Sequence, residues 1–156
     1  MTSKDSLDPN EDVFVKPGEQ VIEQPNLSEE ERKTFVDALL IGQKSEVVDV
    51  FGHQVLIKTL TVDLELQVAQ VLRPWENTIG FPKAYKTANV AASIYEIDSA
   101  PFYTPILPTD KTEIVSKKFD KLKEYYPPFV DEIYTKFTDM EQSMVAVLEK
   151  LGKSNG

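Results

Sequence analysis

Apolar residues recur at alternating spacings of three and four near the end of the chain, and this pattern constrains the fold more than any other feature. We call this set the final-helix stripe: Val130, Ile133, Phe137, Met140, Met144, Val147 and Leu151. Such spacing places the side chains on one face of a helix, which must be covered by the same chain or by another protein. The stripe therefore predicts a separable final helix over residues 128–151 and a candidate partner-binding face.

The residues around the stripe suggest how this face is used. Pro127 and Pro128 break the preceding helix, because the residue before a proline avoids the helical conformation, whereas proline itself is tolerated in a first turn. Met140 and Met144 are unbranched and adapt to different neighbours. We expect the final helix to fold back on the rest of the isolated protein. When a partner protein binds, this face is expected to exchange its internal contact for a contact with the partner.

Charge and cysteine content narrow the classes of partner. The chain has 156 residues, a formal net charge of −9 and no cysteine. Nucleic acids and anionic membranes bind mainly through lysine and arginine, so we expect neither as a partner. Without cysteine, disulfides and thiolate metal sites are excluded. No apolar run is long enough for a spanning helix and no secretory signal opens the chain, which favours a cytoplasmic location.

The composition changes near residue 26 and predicts two regions. Residues 1–26 are rich in acidic residues and prolines, which is typical of a disordered acidic leader. The apolar triplet at 13–15 could add a strand to a sheet edge, although a solvated tail is the favoured interpretation. Residues 27–153 are predicted to form a single globular domain, because this length is sufficient for one core.

Two local signals open the predicted domain. Ser28 followed by Glu31 matches a capping box and predicts a helix over residues 29–41, which Gly42 ends. Apolar runs on both sides of Gly52 predict a β-hairpin near residues 46–60, with Gly52-His53 as the two central residues of a type II′ turn. An isolated hairpin is only marginally stable, so it must pack on helices or pair with further strands.

Three more helices are predicted between the hairpin and the final helix. They cover residues 61–72, 82–95 and 110–125. Thr61 suits the first N-cap, Pro82 suits a first turn, and Asp110 with Glu113 matches a second capping box. Three prolines predict an irregular connection over 98–108. The predicted fold class is α+β, predominantly helical, with about five helices and one hairpin.

The sequence contains no pattern that is typical of catalysis. His53 is the single histidine, and an exposed turn position is a commoner role for it than catalysis or metal binding, since no cysteine or second histidine can join it. The six glycines do not cluster into a phosphate-binding loop. Acidic pairs such as Asp63 and Glu65 are explained by helix capping. We therefore predict a protein that is not an enzyme, with no cofactor and no metal site.

Three stretches carry a family resemblance. They are the hairpin sequence at 48–61, Ala-Tyr-Lys-Thr-Ala-Asn-Val-Ala-Ala-Ser-Ile at 84–94, and a Tyr-Pro-Pro corner at 126–128. In this order, and followed by a long final helix, residues 45–153 resemble the tail assembly chaperones of long-tailed, siphovirus-type bacteriophages. The acidic leader is not part of the layout of that family.

The resemblance implies a specific function. Members of the family coat the phage tape measure protein and recruit tail tube subunits in the cytoplasm of the infected bacterial host. They are typically made in a short form and in a longer form that arises by ribosomal frameshifting. If the Leu151 codon ends in G and is followed by GGA and AAA or AAG, the RNA at Leu151-Gly152-Lys153 reads G-GGA-AAR, a slippery pattern, so Gly152 and Lys153 are the candidate frameshift position of a short form. A glycine after the last helical residue is also a common helix stop, which leaves a purely structural interpretation open.

Two other interpretations follow from the same patterns. The chain could be a structural virion subunit, such as a tail or head-completion protein, in which the leader and hairpin extend the sheet of a neighbour. The final-helix stripe spans three heptads, which is also enough for a homo-oligomer.

Overall fold

The computed structural model describes residues 27–40, 43–105 and 111–155, and within them the chain forms five α-helices and one four-stranded antiparallel sheet. In chain order these are α1 (Glu29–Leu40), β1 (Ser45–Val50), β2 (His53–Lys58), α2 (Val62–Leu72), α3 (Phe81–Ser93), β3 (Ile94–Ile97), β4 (Ala100–Pro101), α4 (Ile114–Leu122) and α5 (Pro127–Asn155). Short 3-10 turns cover Arg73–Trp75 and Lys111–Glu113. The predicted α+β, predominantly helical fold class is confirmed. The predictions for the leader, for Gly42 and for Asp110 lie outside the described residues.

The helix starts follow from local hydrogen bonding. At α1 the capping box is complete, since the Ser28 amide donates to Glu31 Oε2 at 2.9 Å and the Glu31 amide donates to Ser28 Oγ at 3.1 Å. At α2 the Thr61 hydroxyl accepts from the Leu64 amide at 3.3 Å. Pro82 lies in the first turn of α3, where its missing amide hydrogen removes no intrahelical bond.

The four strands are ordered β1-β2-β3-β4, so β1 and β4 form the two edges of the sheet. β1 and β2 pair without interruption, from Ser45 opposite Lys58 to Val50 opposite His53. The pairing of β2 with β3 shifts by one residue between Leu56 and Ile57. The predicted hairpin near 46–60 is therefore present, and it is extended by two strands that the sequence patterns did not reveal.

The predicted hairpin turn was wrong by one residue and in type. The central residues are Phe51 and Gly52, with φ of 51° and 88°, and His53 already belongs to β2. Positive φ at both central positions indicates a type I′ turn, whose twist matches that of the flanking strands. An aromatic residue at the first position is unusual, which is why the pattern suggested a turn that begins at the glycine.

The predicted helix over 82–95 was too long, because α3 ends at Ser93 and Tyr95 lies in β3. A second tight turn at Asp98 and Ser99, with φ of 51° and 67°, joins β3 to β4 inside the stretch that had been predicted as irregular. The predicted helix over 110–125 is also shorter, because α4 spans only Ile114–Leu122. The final helix is longer than predicted and continues to Asn155.

The helices pack on one face of the sheet. α3 lies at the centre of the helical layer and contacts α2, α4 and α5, while α5 also contacts β1 and β2. Ala88, Ala91 and Ala92 of α3 are fully buried, and their small side chains allow the neighbouring helices to approach closely. The inward residues of β1 and β2, such as Val50 and Ile57, complete the core from the other layer.

A buried lysine fixes β3 against the helical layer. Lys118 of α4 is almost fully buried, and its Nζ donates to the carbonyl of Ile94 at 2.5 Å. The same Nζ lies 4.3 Å from the centroid of the Tyr95 ring, and Lys58 Nζ lies at an equal distance from that ring. Burial, and secondarily the charge of Lys58, lowers the pKa of Lys118 to about 8.

Candidate protein-binding surfaces

Most of the final-helix stripe is covered by the chain itself. Val130, Ile133, Phe137 and Met140 are buried and belong to one contiguous core with the sheet, α3 and α4. The first half of α5 is therefore an integral part of the packed domain. These four residues cannot meet a client unless the core opens, whereas the side chain of Leu151 lies outside the described residues.

The distal part of the stripe has a different environment. Met144 and Val147 are buried at 8% and 5% exposure, but they lie outside the contiguous core formed by the other buried apolar residues that the structure describes. α1 runs beside this end of α5. These two side chains are therefore buried near the junction of α5 with α1 and outside the core of the domain.

A surface ion pair connects α1 to the end of α5. Lys150 Nζ lies 2.6 Å from Glu31 Oε1, and the hydrogen bond from Lys150, followed by that from the Ser28 amide, lowers the pKa of Glu31. The ion pair is therefore present at neutral pH and is lost as the pH falls through this lowered pKa. An exposed pair of this kind contributes little free energy to the attachment of α1.

Exposed apolar side chains lie near the junction of α1 and α5. Val36 of α1 and both Val145 and Leu148 of α5 are about half exposed. The two α5 residues lie beside the buried Met144 and Val147 along the same helix. We define the distal face as Met144, Val145, Val147 and Leu148.

A groove between α2, α3 and α5 has a mixed aromatic and acidic lining. Its volume is about 370 Å³, and the rings of Tyr85 and Tyr134 meet edge to face in it at a centroid distance of 6.5 Å. Partial burial, and secondarily the charge of Glu65, raises the pKa of Glu141. Burial likewise raises the pKa of Tyr134. The sequence patterns missed this groove because Glu65 and Glu141 are distant in the chain.

The open side of the sheet presents a second apolar region. Val47 of β1 is 59% exposed and Phe51 at the hairpin tip is 68% exposed. Across the part of the chain that the structure describes, no strand pairs with the outer edge of β1. The hairpin prediction located this region but did not identify β1 as an edge.

His53 is exposed, as predicted, but it has a structural partner. Its Nδ1 lies 2.7 Å from Asp98 Oδ2, while Asp98 Oδ1 accepts from the Gln54 amide at 2.9 Å. The hydrogen bond from His53, followed by that from Gln54, lowers the pKa of Asp98. Asp98 thus ties the turn after β3 to the start of β2. Among the residues that the structure describes, no cluster of three or more His, Cys, Asp or Glu side chains could hold a metal ion.

The candidate frameshift residues lie within the last turns of α5. The helix continues through Gly152 and Lys153 to Asn155. Gly152 is therefore not a helix stop.

Comparisons with protein-family models, curated proteins and solved structures found no match to this chain. None of the helices in the described ranges is both long and apolar enough to cross a lipid bilayer. The fold and its surfaces thus define an α+β protein with a helical layer on one face of a small sheet, and with apolar patches at the distal face and the hairpin.

Proposed function

We propose that the chain is a non-enzymatic tail assembly chaperone of a long-tailed phage, which binds the tape measure protein and recruits tail tube subunits in the cytoplasm of the infected host. The order of elements supports this proposal, because a hairpin, a capped helix, an alanine-rich helix, a proline corner and a long final helix follow one another as in the family it resembles. The buried alanines of α3 and the paired strands of the hairpin coincide with the stretches that carry the resemblance.

The division of the final-helix stripe carries the functional argument. A chaperone for a long helical client needs an apolar face that is protected before the client arrives and accessible afterwards. The distal face suits this requirement, since Met144 and Val147 are buried outside the core, near the junction of α5 with α1. A helix of the client takes the place of α1, and Met144 adapts to the new neighbour because its side chain is flexible.

The charge of the protein supports the same role. A net charge of −9 keeps complexes of chaperone and client apart through mutual repulsion. The apolar patch bound to the client is then shielded while the outer surface of the complex remains strongly solvated.

Co-expression with the tape measure protein tests the proposal. The soluble fraction of the tape measure protein is expected to rise in the presence of the chain. Val147→Asp should abolish this effect by placing a charge in the distal face, whereas Gln142→Asp, on the exposed side of the same helix, should preserve it. A soluble fraction that does not respond to co-expression would count against the chaperone function.

The gene sequence tests the short-form proposal separately. If the chain is the short product of a frameshift pair, the codons around Gly152 and Lys153 read G-GGA-AAR and an overlapping −1 frame follows. If the codons do not form this seven-nucleotide sequence, the frameshift proposal is wrong. The proposed chaperone function does not depend on that result.

The free edge of β1 favours a second candidate, a structural virion subunit. An unpaired strand edge can extend the sheet of a neighbouring subunit in a tail or a head. Mass spectrometry of purified particles distinguishes the two functions, since a chaperone is absent from the finished particle and a structural subunit is abundant in it.

A further inference from the structure

The outer edge of β1 is long, regular and open. All six residues of β1 pair with β2 without a bulge, and β1 contains no proline. Folded proteins usually protect such an edge with a bulge, a proline or a covering segment, because its free amide and carbonyl groups bind other strands. Within the ranges that the structure describes, β1 has neither a bulge nor a proline, no further strand pairs with its outer edge, and its charged residues are Glu46 and Asp49.

The hairpin geometry determines which backbone groups face outward. Val50 and His53 flank the two-residue turn as a hydrogen-bonded pair. Further along the strand, the backbone carbonyl of Lys44 accepts from the Thr59 amide at 2.9 Å. Hydrogen-bonded pairs alternate along an antiparallel ladder, so the even-numbered residues of β1 bond to β2. The odd-numbered residues Ser45, Val47 and Asp49 direct their amide and carbonyl groups to the free edge.

The outward-facing backbone groups of Ser45, Val47 and Asp49 are arranged symmetrically about Val47. From this symmetry we infer that β1 pairs antiparallel with β1 of a second copy of this chain, around a twofold axis through Val47. In this register Val47 faces Val47 of the second copy, and Ser45 faces Asp49 of the second copy. Each of these pairs exchanges both of its backbone hydrogen bonds. The two four-stranded sheets become one continuous sheet, in which the β1 edge of each copy is paired and β4 forms the two outer edges.

The side chains are compatible with self-pairing. Val47 is 59% exposed on the open side of the sheet, and a pair of β-branched residues across the axis is favourable in a sheet. Asp49 faces a serine in this register, and its carboxylate already accepts from the Gly52 amide at 3.2 Å and from Gln54 Nε2 at 3.1 Å. No like charges therefore lie directly opposite each other along the paired strands.

A groove lies beside the edge that the second copy would cover. The groove lies between β1 and α5, and its volume is about 370 Å³. Its charged lining includes Glu46, Asp49 and Asp139 against Lys136 alone. The twofold axis perpendicular to the sheet places the α5 helices of the two copies antiparallel, so that the grooves of both copies border the paired strands.

Substitutions at Val47 test the pairing without disturbing the hairpin. Val47→Pro removes the outward amide hydrogen, which β2 does not use, and proline is tolerated on edge strands. Val47→Lys places two like charges across the axis. Val47→Thr keeps both the amide and the β-branched shape and is the matched control. Circular dichroism and thermal unfolding establish that each variant is folded.

Sedimentation equilibrium gives the decisive measurement. At about 100 µM the full chain is expected to sediment at twice its monomer mass of 17.6 kDa. The proline and lysine variants should dimerise at least about tenfold more weakly, whereas the threonine variant should stay within about twofold of the wild type. The amides of Ser45 and Asp49 should gain protection from hydrogen exchange as the concentration rises.

Three outcomes would overturn the inference. A wild-type chain that is monomeric at this concentration, with exchanging edge amides, shows that the edge does not self-associate. A monomer with protected edge amides shows that another segment of the same chain covers β1. A dimer that the proline and lysine variants leave unchanged places the interface elsewhere. The inference does not rest on the proposed function, because none of these measurements involves a client.

Discussion

At the scale of single residues, Phe51 shows a conflict between local preference and the observed fold. Its φ of 51° places an aromatic residue in a region that asparagine and glycine occupy far more readily. Because the side chain is 68% exposed, little burial compensates for this strain. Phe51→Asn is therefore expected to raise the free energy of unfolding by about 0.5–1 kcal/mol in urea titrations.

Gly52 provides the matched control for this prediction. Its φ is 88°, and a Cβ atom built on it meets no neighbouring atom within 4 Å. Gly52→Ala should therefore lower stability by about 1 kcal/mol through backbone strain alone, without a steric clash. Equal stability of both variants and the wild type would show that the turn tolerates either residue and would contradict the strain argument.

Lys118 predicts an unusual dependence of stability on pH. Its pKa of about 8 lies below the usual lysine value of 10.5, so between these values the unfolded chain binds more protons than the folded one. The wild type should gain about 2 kcal/mol relative to Lys118→Met between pH 7 and pH 9.5. Chemical unfolding of both proteins across this range measures the difference, and parallel pH profiles would contradict the prediction.

At the scale of secondary structure, the sequence predicted those elements whose signals are local. The capping box at Ser28, the N-cap at Thr61 and the proline corner before α5 each act within a few residues of the helix start. The strand β3 was missed because its residues continue the helical spacing of α3. It is stabilised by pairing with β2 and by the contact of Lys118 with Ile94, which are distant in sequence.

The candidate surfaces were predictable only in part for the same reason. The spacing of the final-helix stripe correctly identified one face of α5, but it could not distinguish Ile133 in the core from Met144 outside it. That distinction depends on which element packs against each turn of the helix. The outward direction of the β1 backbone likewise depends on pairing with β2, which fixes the phase of the ladder.

Truncations within α5 are expected to separate its two halves. Ile133 is fully buried in the core, and Ile133→Ala should lower the global free energy of unfolding by about 4 kcal/mol. Met144→Ala should cost about 2 kcal/mol, mostly as local release of α1. Hydrogen exchange measured by mass spectrometry should show lost protection in residues 29–40 alone for the second variant. Loss across the whole domain would contradict a separate distal unit.

At the scale of the whole molecule, the two inferred interfaces use different parts of the protein. The distal face lies near the junction of α5 with α1, and the dimer edge lies on β1 beside the middle of α5. A dimer formed through β1 therefore leaves both distal faces accessible. One continuous sheet would then present two client-binding helices, which increases the effective affinity for a long repetitive client.

Exchange of α1 for a client makes a final prediction about the intact protein. If a client helix binds where α1 lies, it can bind only those molecules in which α1 is released. Its apparent affinity is then the intrinsic affinity multiplied by the fraction of molecules with α1 released. Glu31→Lys and Lys150→Glu each break the 2.6 Å ion pair that holds α1. Each single variant should therefore bind the tape measure protein a few-fold more tightly than the wild type in a titration.

The two charge reversals control for each other. Glu31→Lys makes the protein less acidic and Lys150→Glu makes it more acidic, so a general charge effect on client binding would change the affinity in opposite directions. Release of α1 predicts an increase in both cases, because either variant places like charges at the contact. The double variant restores an ion pair with reversed orientation and the original net charge, but not the hydrogen bond from the Ser28 amide to Glu31, so its affinity should return towards the wild-type value without reaching it. If hydrogen exchange shows that α1 is released in the single variants while client affinity is unchanged, the client binds elsewhere and the exchange mechanism is excluded.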